Sequence, residues 1–318
     1  MARNNTNLHS AKREKNDEFY TLLEDIENEL KYYKDYFKGK VVYCNCDNVT
    51  KDNRSNFFKY FALNYEFLGL KGLVCTAYNP NGKGKKYEYL GDLNGNNYPD
   101  EEEIETTEMD GDGDFRSQEC IEILKKADVV VTNPPFSLFR EYVAQLVEYD
   151  KKFLIIGELN AVTYKEIFPL IKENKVWLGV TRTGTGSMWF KVPEIIEEKK
   201  GQKIVDGICY QTIGTSIWLT NLDHKKRHEE ITLYKKYNAE NYPKYDNYDA
   251  IEVGKVTDIP MDYDGVMGVP TTFLGKYNPS QFEIVGQMMT TKITEFNFGY
   301  PYINGKKKFA RVLIKRVF

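Results

Sequence analysis

Four consecutive residues, Asn133, Pro134, Pro135 and Phe136, combine hydrogen-bond acceptors with a flat apolar ring. The Asn133 side-chain oxygen and the Pro134 carbonyl can both accept from one planar amine, while the prolines fix φ and remove competing backbone donors. Two accepted hydrogen bonds localise the lone pair of a conjugated amine, such as that of adenine, on its nitrogen. The Phe136 ring can stack on a base rotated out of a duplex. This chemistry suits in-line attack of an amine on a sulfonium methyl group, which positioning governs.

The place of this tetrapeptide along the chain favours a ligand site. It follows the apolar run 129–131 directly and precedes a helical pattern over 137–149. In an open α/β sheet, ligands bind beyond the carboxyl ends of the strands. A turn that merely ends a strand also uses Asn and Pro, so the tetrapeptide alone leaves both interpretations open.

Apolar runs and helical patterns alternate along the first two thirds of the chain. The apolar runs predict strands at 41–44, 72–77, 127–132, 152–156, 175–180 and 216–222. The helical patterns lie at 56–61, 137–149 and 164–173. Near-continuous apolar strands separated by helices indicate an α/β fold with a parallel sheet covered on both faces.

The pattern also predicts that the chain divides into two domains. Residues 1–222 form the first domain, with a long loop or excursion at 79–110 that is rich in Gly, Asn and acidic residues. From Asp223 onward the periodicity weakens. Residues 223–318 are therefore predicted to form a smaller irregular lobe.

Composition excludes several classes of protein. A chain of 318 residues with 41% hydrophobic residues is neither disordered nor fibrous. The formal net charge of -3 means that any nucleic-acid contact must come from local basic patches. The five cysteines form no C-x-x-C pair, and His224 and His228 are separated by basic residues, so neither a disulfide framework nor a metal site is expected. Without an apolar run of about 18 residues or a signal segment, the protein is expected in the cytoplasm, off the membrane.

The sequence resembles the EcoRI-type adenine-specific DNA methyltransferases of restriction-modification systems. Beyond Asn133–Phe136, the resemblance runs through 17–21, 43–47, 55–61, 111–117, 128–139, 149–156, 242–251 and 262–270. It covers most of the chain and is weakest over 79–110 and 181–214. The resemblance implies a class I S-adenosylmethionine-dependent methyltransferase sheet, which is Rossmann-like, with 223–318 as a C-terminal DNA-recognition lobe.

The same resemblance implies the activity. A methyl group would pass from S-adenosylmethionine to N6 of adenine in double-stranded DNA, after base flipping and without a metal. GAATTC is the site that the family suggests. The expected partner is a restriction endonuclease that acts on the same site without a stable complex, and the methyltransferase itself is expected to be a monomer.

Cofactor residues follow from the resemblance, not from spacing. They are Phe19, Tyr20 and Thr21 in the N-terminal motif, Cys44, Asn45 and Asp47 where related enzymes carry a glycine-rich turn, Asp114 and Phe115 as the adenine-binding pair, and Asn133. Taken alone, these segments have other interpretations: 17–21 could begin a helix, Asn45 or Asp47 could cap one, and 111–114 could be a turn or a calcium loop. The strand at 72–77 lacks the terminal acid that often holds a ribose.

Basic residues that could contact DNA phosphates are scattered along the chain, and each could equally be a solvated surface charge. They are Arg3, Lys12, Arg13, Arg182, the run 224–228, Lys235, Lys236, Lys306, Lys307, Lys308 and Arg311. The polar segment 183–186 could touch a nucleotide or form a hairpin turn. Two rival functions stay open: an amino-methyltransferase acting on RNA adenine or protein glutamine, and a catalytically silent DNA- or nucleotide-binding module.

Overall fold

The computed structural model describes residues 20–50, 53–181, 188–192, 201–212 and 215–317. Its α-helices are α1 (Leu23–Leu30), α2 (Asn56–Leu63), α3 (Tyr65–Leu68), α4 (Gln118–Lys126), α5 (Phe139–Glu148) and α6 (Phe168–Lys172). Its first strands are β1 (Tyr20–Thr21), β2 (Val41–Asn45), β3 (Val49–Thr50), β4 (Asn53–Arg54), β5 (Gly72–Ala77), β6 (Lys85–Tyr89), β7 (Ile104–Glu108), β8 (Val129–Thr132), β9 (Lys152–Glu158) and β10 (Trp177–Leu178). The later strands are β11 (Trp189–Lys191), β12 (Gln202–Val205), β13 (Ile208–Thr212), β14 (Ser216–Thr220), β15 (Ala250–Glu252), β16 (Val266–Val269), β17 (Phe282–Met288), β18 (Tyr302–Ile303), β19 (Lys306–Lys307) and β20 (Arg311–Arg316).

Short 3₁₀ helices join several of these elements, at Lys34–Tyr36, Glu101–Glu103, Phe136–Leu138, Leu159–Thr163, Lys225–His228, Val256–Asp258 and Thr271–Lys276. The predictions made for Phe19, Arg3, Lys12, Arg13, Arg182 and the segment 183–186 lie outside the described residues. Within the described ranges, every helix is too short or too polar to cross a membrane.

The chain divides into two compact units. The first comprises Met1–Leu159 with Gly186–Leu222, and the second comprises Asn160–Thr185 with Asp223–Phe318. Residues 160–185, which the sequence placed in the first domain, thus group with the C-terminal part. The reason is local packing, because α6 contacts β17 and the His224 ring hydrogen-bonds the Leu178 carbonyl oxygen at 2.9 Å.

The main sheet of the first unit runs, over its described residues, in the order β14-β9-β8-β2-β5-β6-β7. The pairs β2–β5, β2–β8 and β8–β9 are parallel, whereas β14, β6 and β7 pair antiparallel with their neighbours. All four residues of β8 are buried, as expected for a strand covered on both faces. The predicted α/β class is confirmed, and the centre of the sheet, β9-β8-β2-β5, is parallel as expected, whereas the strand predicted at 216–222 is the antiparallel β14.

The excursion predicted as a loop at 79–110 contains two strands. Strands β6 and β7 lie within it and extend the sheet beyond β5. Their side chains alternate between polar and apolar or are mostly exposed, so no continuous apolar run marked them. The connection between them is held by the Glu103 carboxylate, which accepts backbone N–H groups of Leu93 and Asn94.

The second unit is more regular than the irregular lobe predicted for 223–318. Its described residues form a sheet in the order β15-β16-β20-β17 and a separate hairpin, β18–β19. Ala250, Met288 and Leu313 are buried together in its core. The hydrophobic periodicity is weak after Asp223 because these strands are short and separated by long connections rich in Tyr, Asp and Pro.

Two groups of candidate phosphate contacts are engaged inside this unit. Arg311 is buried and forms an ion pair with Glu252, so it is neither an open phosphate contact nor a solvated surface charge, the two alternatives that the sequence left. In the run 224–228, the Lys226 ammonium donates to the Val180 carbonyl oxygen at 2.7 Å, and the Arg227 guanidinium lies 3.8 Å from the Trp177 ring centroid. Lys226 and Arg227 therefore serve internal packing, whereas Lys225 and His228 are exposed.

Candidate active site

A cleft of about 1160 Å³ opens at the carboxyl ends of the central strands. Strand β2 lies between β5 and β8, so the chain passes to one side of β2 first and later returns to the other. Such a reversal of strand order creates the crevice in which open α/β sheets bind ligands. The cleft is lined by residues that follow these strands and by others near them, including Thr21, Cys46, Asp47, Ser55, Asn56, Ala77, Tyr78, Asp114, Phe115, Asn133 and Pro135.

The tetrapeptide leaves β8 into this cleft. Asn133 and Pro135 line it, whereas Pro134 is buried and the half-buried Phe136 ring lies 6.4 Å from the Phe190 ring, edge to face. A 3₁₀ turn and then α5 follow. The first residue of α5, Phe139, packs on Gly157 of β9, where an added Cβ would lie 2.6 Å from the Phe139 ring. This close approach fixes where α5 begins and thus where the tetrapeptide ends.

Asp47 is a buried acid that lines the cleft. Its carboxylate accepts hydrogen bonds from the Thr132 hydroxyl at 2.7 Å and from the Ser55 hydroxyl. Its backbone N–H donates to the Thr76 carbonyl oxygen at 2.8 Å, so Asp47 joins the ends of β2, β5 and β8. Burial raises the pKa of Asp47 to about 7, although the two accepted hydrogen bonds oppose that rise.

The residue just before Asp47 takes the backbone conformation of a glycine. Cys46 has φ 70°, in the left-handed region that glycine adopts without strain, and its side chain borders the cleft. Its thiol donates to the Asn45 side-chain oxygen at 3.4 Å. The turn keeps the shape that glycine would permit even though its residues are cysteines and asparagine.

Cys44 and Asn45 do not line the cleft. Cys44 is wholly buried in the sheet opposite Cys75, and the Asn45 side-chain oxygen accepts from the Thr76 hydroxyl at 3.2 Å. A direct side-chain contact of either residue with a ligand, as the sequence predicted, has no support in this geometry. Their role is to build the β2–β5 junction beneath the site.

The N-terminal motif reaches the cleft through Thr21. The Asn56 side-chain amide donates to the Thr21 carbonyl oxygen at 2.7 Å and ties β1 to the start of α2. The Thr21 hydroxyl is buried and has no hydrogen-bond partner among the described residues. Tyr20 pairs with Lys191 through the backbone of β1 and β11.

Asp114 and Phe115 border the cleft on the side of β5. Arg116 donates to both Asp114 oxygens, at 2.9 and 2.6 Å, and these bonds hold the pKa of that carboxyl below its usual value. Phe115 is buried and packs edge to face on Tyr142 at 5.0 Å. Gly113 has φ 82°, and a Cβ there would lie 2.6 Å from the Ala77 carbonyl oxygen, so the glycine lets this segment cross the end of β5.

Sequence reasoning missed several residues of the cleft. Tyr78, which follows β5 directly, could have been found by the same strand-end rule that identified Asn133. Tyr98, Asp100 and Glu101 come from the connection between β6 and β7, whose position the sequence did not reveal. Arg54 donates to the Pro99 carbonyl oxygen at 2.9 Å and holds that connection beside the cleft.

A mostly parallel α/β sheet that presents Asn-Pro-Pro-Phe at its switch point defines a methyltransferase acting on an amine. Comparison with known proteins gives the family. The model of a family described as adenine-specific methyltransferase EcoRI matches residues 7–317, and the chain therefore belongs to this family.

Curated relatives agree with this assignment along nearly their whole length. The chain is 51% identical to Type II methyltransferase M.EcoRI of Escherichia coli over 99% of this chain and 98% of the relative. It is 39% identical to Type II methyltransferase M.MpnI of Mycoplasma pneumoniae and 38% identical to Type II methyltransferase M.MgeORF184P of Mycoplasma genitalium, each over 97% of this chain and 98% of the relative. No solved structure matches the chain significantly.

Proposed function

We propose that this protein transfers the methyl group of S-adenosylmethionine to N6 of adenine in double-stranded DNA, as the modification partner of a restriction endonuclease. The observation that carries the proposal is the meeting of Asn133, Asp47 and Asp114 in one cleft at the switch point of the sheet. The names of the relatives, all Type II methyltransferases, support the restriction-modification role.

The cleft residues fit a ligand with an amino-acid end and an adenosine end. The Asp47 carboxylate suits an ammonium group, and the buried Thr21 hydroxyl can donate to a carboxylate. The N-terminus of α2, where Ser55 and Asn56 border the cleft, favours negative charge at the same place. When bound there, S-adenosylmethionine supplies an electrophilic methyl group.

At the other end of the cleft, Asp114 can accept a hydrogen bond from the amine of the cofactor's adenine, and Phe115 offers an apolar edge for its ring. Arg116 keeps Asp114 ionised and oriented, because both carboxylate oxygens accept from the guanidinium. Strand β5 does not end in an acidic residue that could bind the ribose hydroxyls of the cofactor. Asp100 and Glu101, which line the same cleft, can accept hydrogen bonds from these hydroxyls instead.

In the proposed reaction, the Asn133 and Pro134 oxygens accept hydrogen bonds from the two N–H groups of the target amine and raise its nucleophilicity. The nitrogen would bond to the methyl group as the methyl–sulfur bond breaks and a neutral thioether leaves, and the methylated amine would release one proton to solvent. Pro135 stiffens the turn, and Phe136 stacks on the adenine. An amine inside a duplex is out of reach of a cleft, so the adenine must be flipped out of the helix. The parallel strands and their switch-point cleft support the class I methyltransferase fold that the family suggests.

The direct test supplies labelled S-adenosylmethionine with unmethylated substrates of different classes. These are a duplex containing GAATTC, a duplex with those bases permuted, an RNA of the same sequence and a protein mixture. We expect N6-methyladenine in DNA, and label confined to RNA or to glutamine amides would overturn the proposal.

The role of Asn133 has its own test. Asn133→Ala should lower the methylation rate by at least about 100-fold, because an acceptor used in the transition state is lost, while the cofactor dissociation constant changes little. Asn81→Ala, at an exposed asparagine, serves as the control. Unchanged turnover of Asn133→Ala would remove this residue from the mechanism.

A further inference from the structure

A short two-stranded ribbon in the second unit carries three lysines and a phenylalanine in a row. The strands β18 and β19 pair Tyr302 with Lys307, and the turn between them is Asn304-Gly305. Lys306, Lys307 and Lys308 are all exposed. Phe309 is 84% exposed, the highest value for a large apolar side chain among the described residues.

The ribbon is pinned to the rest of its unit. The Asp246 carboxylate accepts the backbone N–H groups of Asn304 at 3.0 Å and Gly305 at 2.8 Å. The Asn247 side chain donates to the Tyr300 carbonyl oxygen at 3.0 Å, and Ile303 is buried in the core of the unit. A surface that is ordered beforehand loses little conformational entropy when it binds a partner.

The charge of the ribbon is unbalanced. Residues 297–318 contain no Asp or Glu, and no ion pair between described residues involves Lys306, Lys307 or Lys308. Instead, the Lys307 ammonium lies over the Tyr300 ring. Arg311, by comparison, is buried against Glu252 and stabilises the fold. The three exposed lysines are instead available to a binding partner.

We propose that Lys306–Phe309, here called the lysine ribbon, is a contact surface for double-stranded DNA. The lysines bind backbone phosphates, and the Phe309 ring makes an apolar contact with bases. A two-stranded ribbon fits the major groove of B-DNA, and a row of lysines in a chain of net charge -3 gives the polyanion a local site. This inference rests on the proposed function, because it takes duplex DNA as the substrate.

The test uses the full chain and compares two triple variants with the same change in charge. The first is Lys306→Gln/Lys307→Gln/Lys308→Gln. The control is Lys38→Gln/Lys71→Gln/Lys126→Gln, at exposed lysines before the amino ends of β2, β5 and β8, the edge of the sheet opposite the cleft. Duplex affinity is measured by fluorescence anisotropy at several salt concentrations, and cofactor affinity by calorimetry.

We expect the ribbon variant to bind duplex DNA on the order of 10- to 100-fold more weakly at low salt. Its slope of log affinity against log salt should fall by about 2 to 3, since each phosphate contact contributes about 0.9. The control should keep the wild-type slope, and both variants should keep the wild-type cofactor affinity. A ribbon variant with the wild-type affinity and slope would overturn the proposal.

Phe309 is tested separately, because an apolar contact has a different signature. Phe309→Ala should weaken duplex binding about tenfold without changing the salt slope, whereas Phe309→Trp, which keeps a large ring, should bind the duplex like the wild type. Phe67→Ala, at another exposed ring, should have no effect on duplex binding.

If the wild-type protein methylates duplex adenine while all ribbon variants bind duplex DNA normally, the proposed role of the lysine ribbon is refuted and the proposed function stands. A wild-type protein that neither binds nor methylates duplex DNA refutes the proposed function itself.

Discussion

The hydroxyl of Thr132 donates to the carboxylate of Asp47 across 2.7 Å, and so joins the carboxyl ends of two strands that lie 85 positions apart in the chain. Ser55, which also caps α2 by accepting the Phe57 N–H at 3.1 Å, donates to the same carboxylate. Asp47 is therefore both a structural link and a buried acid that lines the cleft. If Asp47 binds the cofactor as proposed above, its protonation affects both the stability of the fold and cofactor binding.

Asp47→Asn should change how stability depends on pH. The folded-state pKa of about 7 lies above the ordinary value of 3.8, so protonated Asp47 stabilises the fold below pH 4 and loses this contribution as pH rises toward 7. Between pH 5 and 8 the wild-type protein should lose about 2 to 3 kcal/mol of unfolding free energy that Asp47→Asn does not lose. Urea unfolding of the cofactor-free protein at both pH values measures this difference.

Asp35→Asn is the control for that experiment, because Asp35 is exposed in the same unit. It should follow the wild-type pH profile. Parallel profiles for Asp47→Asn and the wild type would show that the carboxyl of Asp47 titrates normally in the fold.

Thr132→Val should move the pH dependence of cofactor binding. The substitution removes a hydrogen bond that lowers the pKa of Asp47, so more of this group is protonated at pH 7. The loss of cofactor affinity relative to the wild type should be largest near pH 7 and should shrink as pH rises toward 8.5, as measured by calorimetry. Unfolding should become easier by about 1 to 3 kcal/mol, because a buried hydrogen bond is lost.

Thr220→Val provides a matched comparison. Thr220 is equally buried and donates its hydroxyl to the Phe153 carbonyl oxygen at 2.6 Å, at the junction of β14 and β9. It should show the same loss of stability with no shift in the pH profile of cofactor binding. If both variants leave that profile unshifted, Thr132 does not control Asp47.

The parts of the fold that the sequence predicted are those where one pattern fixes one structure. Strands β2, β5, β8 and β9 are buried on both faces, and the continuous apolar runs that this burial requires are visible without a structure. Strand β7 has mostly exposed side chains, so its sequence carries no comparable pattern. The missed strand β20 contains a buried apolar core, Val312–Ile314, flanked by basic residues that make the segment resemble surface.

For the site, the strand-end rule identified Asn133, because ligands bind beyond the carboxyl ends of parallel strands, whereas Asp47 was predicted only through the family resemblance. Neither the resemblance nor the pattern could tell that Asn45 turns into the sheet while Asp47 borders the cleft. The directions of these two side chains depend on the left-handed backbone conformation of Cys46, and this conformation cannot be predicted from the presence of a cysteine. The Ser55 and Thr132 hydroxyls were also missed, since side chains distant in sequence meet only through strand register.

Cys46→Gly should be tolerated, although it removes a side chain from the cleft. A left-handed conformation costs an ordinary residue about 1 to 2 kcal/mol, which roughly offsets the added flexibility of glycine in the unfolded chain. We expect the free energy of unfolding in urea to change by less than about 1 kcal/mol. Cys46→Val should destabilise by more than about 2 kcal/mol, because a branched side chain fits this backbone poorly.

Cys44→Gly is the comparison for this turn, since Cys44 lies in β2 and is wholly buried. It should lose more stability than Cys46→Gly, because burial is lost and a strand position gains flexibility. Equal losses at both positions would contradict a special backbone role for residue 46.

Gly157→Ala should disturb catalysis from a distance. The new Cβ would meet the Phe139 ring, so α5 must shift and move the end of the Asn133–Phe136 turn with it. Overpacking of this kind costs about 1 to 3 kcal/mol of unfolding free energy. The methylation rate should fall more than cofactor affinity does, since Asp47 and Asp114 lie on other strands and turns.

Gly254→Ala is the control, because an added Cβ there meets nothing within 4 Å, and it should change neither stability nor rate. Phe139→Leu added to Gly157→Ala should recover both stability and rate, because a smaller side chain vacates the contact. A double variant no better than Gly157→Ala would show that the packing of Phe139 on Gly157 does not set the position of the Asn133–Phe136 turn.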